Sequence, residues 1–258
     1  RVVVTAPPAA EDFAVAVYEL LAERGAHPVS LSNGRFGSPR AERAYLRNVD
    51  QDDLDEPDHL TALYERTDAA IRVRGDENVT EMRDVEGDAQ AAYQRAYAPA
   101  RSELLDTRWC LTQYPTPANA QLADMSTEAY ENFVWNAVDK DWEAQREHQQ
   151  QMVEILDPAN EVRIVSGDET DLTMSVAGMR TLNDHGEHNL PGGEVFTAPV
   201  PDSVEGEVRF DLPLYHQSHE IENAHLVFEE GRVVEYDADR NAEVLGDVLD
   251  TDPGARSL

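Results

Sequence analysis

The feature that most constrains the fold is a change of texture at Asp157-Pro158-Ala159-Asn160. A proline pushes the residue before it out of helical geometry, so a helix running up to Leu156 must stop here. Before this break, strand and helix patterns alternate. Val2 to Thr5 reads as a strand; Phe13, Val17, Leu20 and Leu21 then recur at helical spacing, with Glu11 and Asp12 in the first turn and Gly25 as terminator. Pro28 to Leu31 makes a second strand, Ala69 to Arg74 a third and Arg108 to Gln113 a fourth. Between them Ser38-Pro39 has the form of a helix start, Leu60 to Arg66 reads as helix, and another helix falls between Asp88 and Leu105. Tyr130, Phe133, Val134, Ala137 and Val138 mark a helix entered at Ser126, and a further helix runs to Leu156. Strands joined through helices return parallel, so residues 1–158 are expected to form an α/β domain with a mainly parallel sheet.

Beyond the break the elements shorten. Val162 to Ser166, Leu172 to Val176, Val195 to Thr197, Val204 to Phe210, Leu226 to Glu229 and Val233 to Tyr236 are brief strands divided by Gly, Asp and Asn. Glu230-Gly231-Arg232 reads as a hairpin closure and Ala238 to Leu249 as helix. Residues 159–258 are therefore expected to be a β-rich α+β second domain, with antiparallel pairing.

Charge excludes several function classes. Asp and Glu number 52 against 21 Lys and Arg, a formal net charge of -31, and such a field repels nucleic acid and anionic membrane surfaces. Disorder is the other common source of acidity, but a hydrophobic content of 41% arranged in amphipathic segments argues against it. Lys140 is the only lysine. Removing long apolar lysine stems while accumulating carboxylates fits a salt-adapted, haloarchaeal-like surface, on which screening weakens self-repulsion. No run of apolar residues is long enough for a membrane span. With Cys110 as the sole cysteine, neither an intramolecular disulfide nor a cysteine-based zinc cluster can form, and a reducing cytoplasm is the expected compartment.

Most short motifs read blandly. The first strand-to-helix turn, Thr5-Ala6-Pro7-Pro8, lacks the glycines that let a pyrophosphate approach a helix, and no Gly-x-x-x-x-Gly-Lys-Ser/Thr run exists, so nucleotide binding is disfavoured. Asn33-Gly34-Arg35-Phe36-Gly37 reads as a loop, and Asn78-Val79-Thr80 as a chance glycosylation match. His216 and His219 form a His-x-x-His pair beside Glu220, with Pro213 and neighbouring strands placing them in a loop or strand; such spacing in a strand turns them to opposite faces. They and the pair His185 and His188 read as surface or loop histidines, with metal binding as the lesser alternative. A helical His-Glu-x-x-His is absent. Cys110, next to Trp109 in a strand, reads as a small core residue rather than a nucleophile.

One run stands apart: Asn189-Leu190-Pro191-Gly192-Gly193-Glu194-Val195-Phe196-Thr197-Ala198-Pro199. Pro191 restricts one backbone angle, the glycine pair opens shapes closed to other residues, and Val195 onward is β-branched and aromatic. Glu194 is thus placed where a turn enters a strand. Spacing alone favours an ordinary turn with a solvated glutamate; the alternative is a carboxylate held by rigid backbone to serve a metal.

This run resembles the signature of the thermophilic metal-dependent aminopeptidases, whose members carry Asn-Leu-Pro-x-Gly-Glu-Val-Phe-Thr-Ala-Pro. The likeness continues through Trp109-Cys110-Leu111-Thr112-Gln113-Tyr114-Pro115, Gln145-Arg146-Glu147-His148, Asp171-Leu172-Thr173-Met174 and Asp252-Pro253-Gly254-Ala255-Arg256, spanning essentially the whole chain. It implies that Glu194 is a metal ligand, that the intact enzyme removes N-terminal residues from peptide substrates with two divalent ions, zinc or cobalt, and that it forms a homodimer. In two-metal hydrolysis the ions sit about 3.5–4 Å apart and activate a shared water, which needs several carboxylates and imidazoles. The family's further ligands, a second glutamate, histidines and an aspartate, follow the segment matched by Asp252 to Arg256, close to Leu258. The resemblance therefore implies a chain truncated at its C-terminus and inactive alone, with no catalytic residue assigned; the alternative is a non-catalytic scaffold or dimerisation module.

Overall fold

Alternation of strand and helix before Asp157 does build a parallel sheet. A computed structural model of the protein describes residues 1–31, 36–216, 219–252 and 254–257. They form two compact units: Arg1–Arg146 with Asp184–Gly193, and Glu147–Asn183 with Glu194–Leu258.

In the first unit β1 (Val2–Thr5), β2 (Pro28–Ser30), β3 (Ala69–Arg74) and β4 (Arg108–Gln113) are parallel neighbours in the order β2-β1-β3-β4. The connecting helices are α1 (Glu11–Glu23), α2 (Pro39–Leu46), α3 (Asp58–Tyr64) and α4 (Gly87–Asp106), followed by α5 (Pro117–Leu122) and α6 (Thr127–Val138). Their starts follow from sequence. Ser38 Oγ accepts from Ala41 N at 3.2 Å ahead of Pro39, Thr116 Oγ1 accepts from Asn119 N at 3.2 Å, and Ser126 Oγ accepts from Ala129 N at 3.3 Å. Helices α3 and α4 pack Leu60, Tyr64, Ala100 and Leu104 against Val3 and Ala70. Each large apolar side chain so buried contributes roughly 1.5–3 kcal/mol.

α7 (Trp142–Leu156) carries the chain onward, and the second unit is built on an antiparallel sheet. Its order is β14-β13-β10-β6-β5, from β5 (Glu161–Ser166), β6 (Thr170–Ser175), β10 (Glu205–Arg209), β13 (His225–Glu229) and β14 (Arg232–Asp237). Glu230 and Gly231 turn the last hairpin with φ of 48° and 71°. A Cβ on Gly231 would stand 2.6 Å from Asp202 Cα, so no other residue fits there. Leu172, Val204, Ile221, Phe228 and Val233 form the core, closed by Leu245 and Leu249 of α8 (Ala242–Leu249). The expected helix from Ala238 begins instead at Ala242, because Asn241 takes a left-handed φ of 56°. Arg256, from the Asp252 to Arg256 segment, ties the chain back onto β14. Its carbonyl accepts from Val233 N at 2.8 Å, and its guanidinium bonds Asp250 Oδ1 at 2.9 and 3.0 Å.

The fold class is thus α/β with a parallel sheet, then a β-rich α+β part. Among the described residues no helix is long and apolar enough to cross a membrane.

Candidate functional site

The Asn189 to Pro199 run is built in two pieces, one in each unit. Asn189 and Leu190 are β8, a fifth parallel strand that pairs Leu111↔Asn189 and Thr112↔Leu190 beside β4. Two residues of Asn and Leu give no strand signal of their own, so their place in the sheet was not legible from the sequence. Upstream, the buried Asp184, 7% exposed, organises the turn: its Oδ1 accepts from Gly186 N at 3.3 Å and its Oδ2 from Asn189 Nδ2 at 3.4 Å. Its carbonyl accepts from Gly193 N at 2.7 Å. A Cβ at Gly192 would stand 2.5 Å from Gly186 N and 3.0 Å from Asp184 O, so the backbone itself occupies the space of a side chain. Gly193 then takes a φ of 110° that other residues avoid.

In the second unit Glu194 is the first residue of β9 (Glu194–Phe196), which pairs with β7 (Leu182–Asp184). Its side chain is exposed. Its main chain is held from α7: Gln149, 6% exposed, donates from Nε2 to Glu194 O at 2.9 Å and to Asn183 Oδ1 at 2.9 Å. Thr197 Oγ1 donates to Arg180 O at 3.1 Å, continuing the anchoring downstream.

Gln149 and Asp184 were both missed in the sequence reading. A signal for Gln149 exists: it falls four residues before Val153, which precedes Leu156 by three, and this places a polar residue on the stripe facing inward. Asp184 offers none beyond its Asp-x-Gly spacing to Gly186.

His188 stacks on Trp109 with centroids 4.7 Å apart, and His185 lies 3.6 Å from Glu187. His216 and His219 belong to two different strands, β11 (Leu214–His216) and β12 (His219–Ile221), which pair antiparallel with His216 and His219 in register, rather than to the single loop or strand expected; residues 217 and 218 lie outside the described residues. Of Asn33 to Gly37, residues 33–35 lie outside the described residues. Cys110 is half-buried, and burial, followed by the charge of Asp184, pushes its thiol up, which suits a structural cysteine. A groove of about 650 Å³ runs over Ile71, Arg108 and Cys110 in the first unit, and Glu194 does not line it.

With this geometry, comparison with known proteins decides the family. The model of the thermophilic metalloprotease (M29) family matches residues 1–258. This chain belongs to the M29 family. Aminopeptidase T of Thermus aquaticus is 32% identical over all of this chain and 71% of its own length. Aminopeptidase T of Thermus thermophilus is 30% identical with the same coverage. The solved structure of wild-type AmpT from Thermus thermophilus, 28% identical, superposes with a TM-score of 0.80 over the whole of this chain and 71% of that one.

M29 aminopeptidases are metal-dependent peptidases, so the family implies a divalent ion. Among the described residues, no three His, Cys, Asp or Glu side chains come together in a way that could hold one. The described residues of this M29 chain therefore do not by themselves fit a metal centre.

Proposed function

We propose that this protein acts as an aminopeptidase on peptide substrates, with Glu194 supplying one carboxylate to a two-metal site whose other ligands come from outside the described residues. The carrying observation is the presentation of Glu194: a glutamate at the head of β9, exposed, preceded by two glycines with no room or tolerance for side chains, and gripped through its carbonyl by buried Gln149. A carboxylate whose backbone cannot shift suits coordination, since ligand distances tolerate little movement. On this reading the 258-residue chain does not hydrolyse peptides alone, and the ions of the complete site are zinc or cobalt.

The second reading, a non-catalytic scaffold or dimerisation module, draws its support from the absence of a metal-binding group among the described residues. Metal counting by mass spectrometry on the purified chain, with and without added zinc, separates the two when combined with release of an N-terminal amino acid from a short peptide. Two tightly bound ions or measurable release by this chain alone would overturn its predicted inactivity. Metal uptake indifferent to Glu194→Gln would overturn the ligand role. We also propose a homodimer in a reducing cytoplasm at high salt, consistent with the single Cys110 and the net charge of -31; sedimentation in molar salt tests the assembly.

A further inference from the structure

Gln149 is a polar side chain where an apolar one is expected. It is 6% exposed on the inward stripe of α7, and its amide has two hydrogens to place. One goes to Asn183 Oδ1 at 2.9 Å, on β7, and the other to Glu194 O at 2.9 Å, the first carbonyl of β9. A single amide thus links a helix to two paired strands separated from it by 34 and 45 residues of sequence. Its neighbours Gln150 and Gln151 are exposed, so the role is confined to one glutamine of three.

We infer that Gln149 is a positioning residue: it fixes the main chain of Glu194, so that only the glutamate's side-chain torsions remain free to aim the carboxylate. The inference rests on the reading of Glu194 as a ligand for its functional meaning, but its physical content is the clamp itself. The donor property is what matters, because an apolar residue of the same volume would take the Gln149 donor away from two part-buried acceptors.

The decisive substitution is Gln149→Glu, which keeps shape and supplies at most one donor in place of two. NMR should show a shifted Glu194 carbonyl carbon and amide exchange at Val195 faster by about tenfold or more. Gln149→Met, which supplies no donor, should show a loss at least as large, and Gln150→Glu should change nothing. An unchanged carbonyl resonance and unchanged exchange in both Gln149→Glu and Gln149→Met overturns the inference. Should the variants fail to fold, the unaltered chain still tests it: the Gln149 side-chain amide should exchange about tenfold or more slower than those of Gln150 and Gln151, and equal rates overturn the clamp. Broadening of signals near Glu194 by Mn²⁺, compared with Glu194→Gln, tests the ligand reading separately. If that broadening ignores Glu194 while the carbonyl responds to Gln149→Glu, the ligand reading falls and the clamp stands; the reverse pattern sinks the clamp alone.

Discussion

The main-chain N–H of Gly193 donates to the carbonyl of Asp184 at 2.7 Å, closing a loop that holds Asn189, Leu190 and the glycine pair in one fixed shape. The loop leaves no space beside Gly192, where a Cβ would stand 2.5 Å from Gly186 N. Gly192→Ala should therefore destabilise the protein by about 3 kcal/mol or more, the upper end of overpacking costs, because the obstacle is backbone and cannot rotate away. Gly193→Ala meets nothing closer than 4.0 Å and should cost less, roughly 1–3 kcal/mol from its φ of 110° alone. Paired urea denaturation of the two variants tests this order.

The Arg43 guanidinium holds the Asp84 carboxyl down to about 2, against an ordinary value of 3.8, with Arg47 adding to the effect. A depressed carboxyl contributes stability above its unfolded pKa and loses it as pH falls through its folded one. The contribution is thus complete above roughly pH 5 and disappears toward pH 2. Thermal melts of Asp84→Asn should differ from the unaltered protein at neutral pH and converge with it at the acid end. Asp84 is exposed and Arg43 only half-buried, so added salt should shrink the neutral-pH difference.

A net charge of -31 places many like charges within reach of one another. Raising salt from about 0.1 to 1 M shortens the screening length from roughly 10 to 3 Å, which relieves that repulsion. The melting temperature should rise steeply with potassium chloride; a gain of about 2 kcal/mol would appear as roughly 4–8 °C for a chain of this size. A flat salt dependence in calorimetry would remove the high-salt reading.

Cys110 has a thiol pushed up by its burial in β4 and by the charge of Asp184. Less thiolate at a given pH means slower attack on a disulfide reagent. Its reaction with Ellman's reagent at pH 8 should run about tenfold or more slower than in the urea-unfolded chain, with the rate still climbing above pH 9. Reaction as fast as in the unfolded chain would show an open, activated cysteine.

Local patterns carried much of the architecture. Helix starts at Ser38 and Ser126, the parallel strands β1 to β4 and the hairpin at Gly231 each rest on side-chain chemistry within a few residues, and the structure contains them. Elements without local signals were not legible: β8 is two residues long and exists because β4 offers it an edge. The Ala238 boundary moved to Ala242 because Asn241 adopts a left-handed turn and donates from Nδ2 to Glu220 O at 2.8 Å, a partner 21 residues away.

For the site, the residue types and order of Asn189 to Pro199 are a property of the sequence, and so is the family they mark. The sequence also determined that the turn could form, since proline fixes one backbone angle and Gly193 admits a φ of 110°. Only the tertiary structure decided that this run divides between two units at Gly193 and Glu194, that buried Asp184 shapes one side, and that Gln149 grips the other. Those relations depend on hydrogen bonds between groups distant in sequence, whose partners are chosen by packing, and no local pattern encodes them.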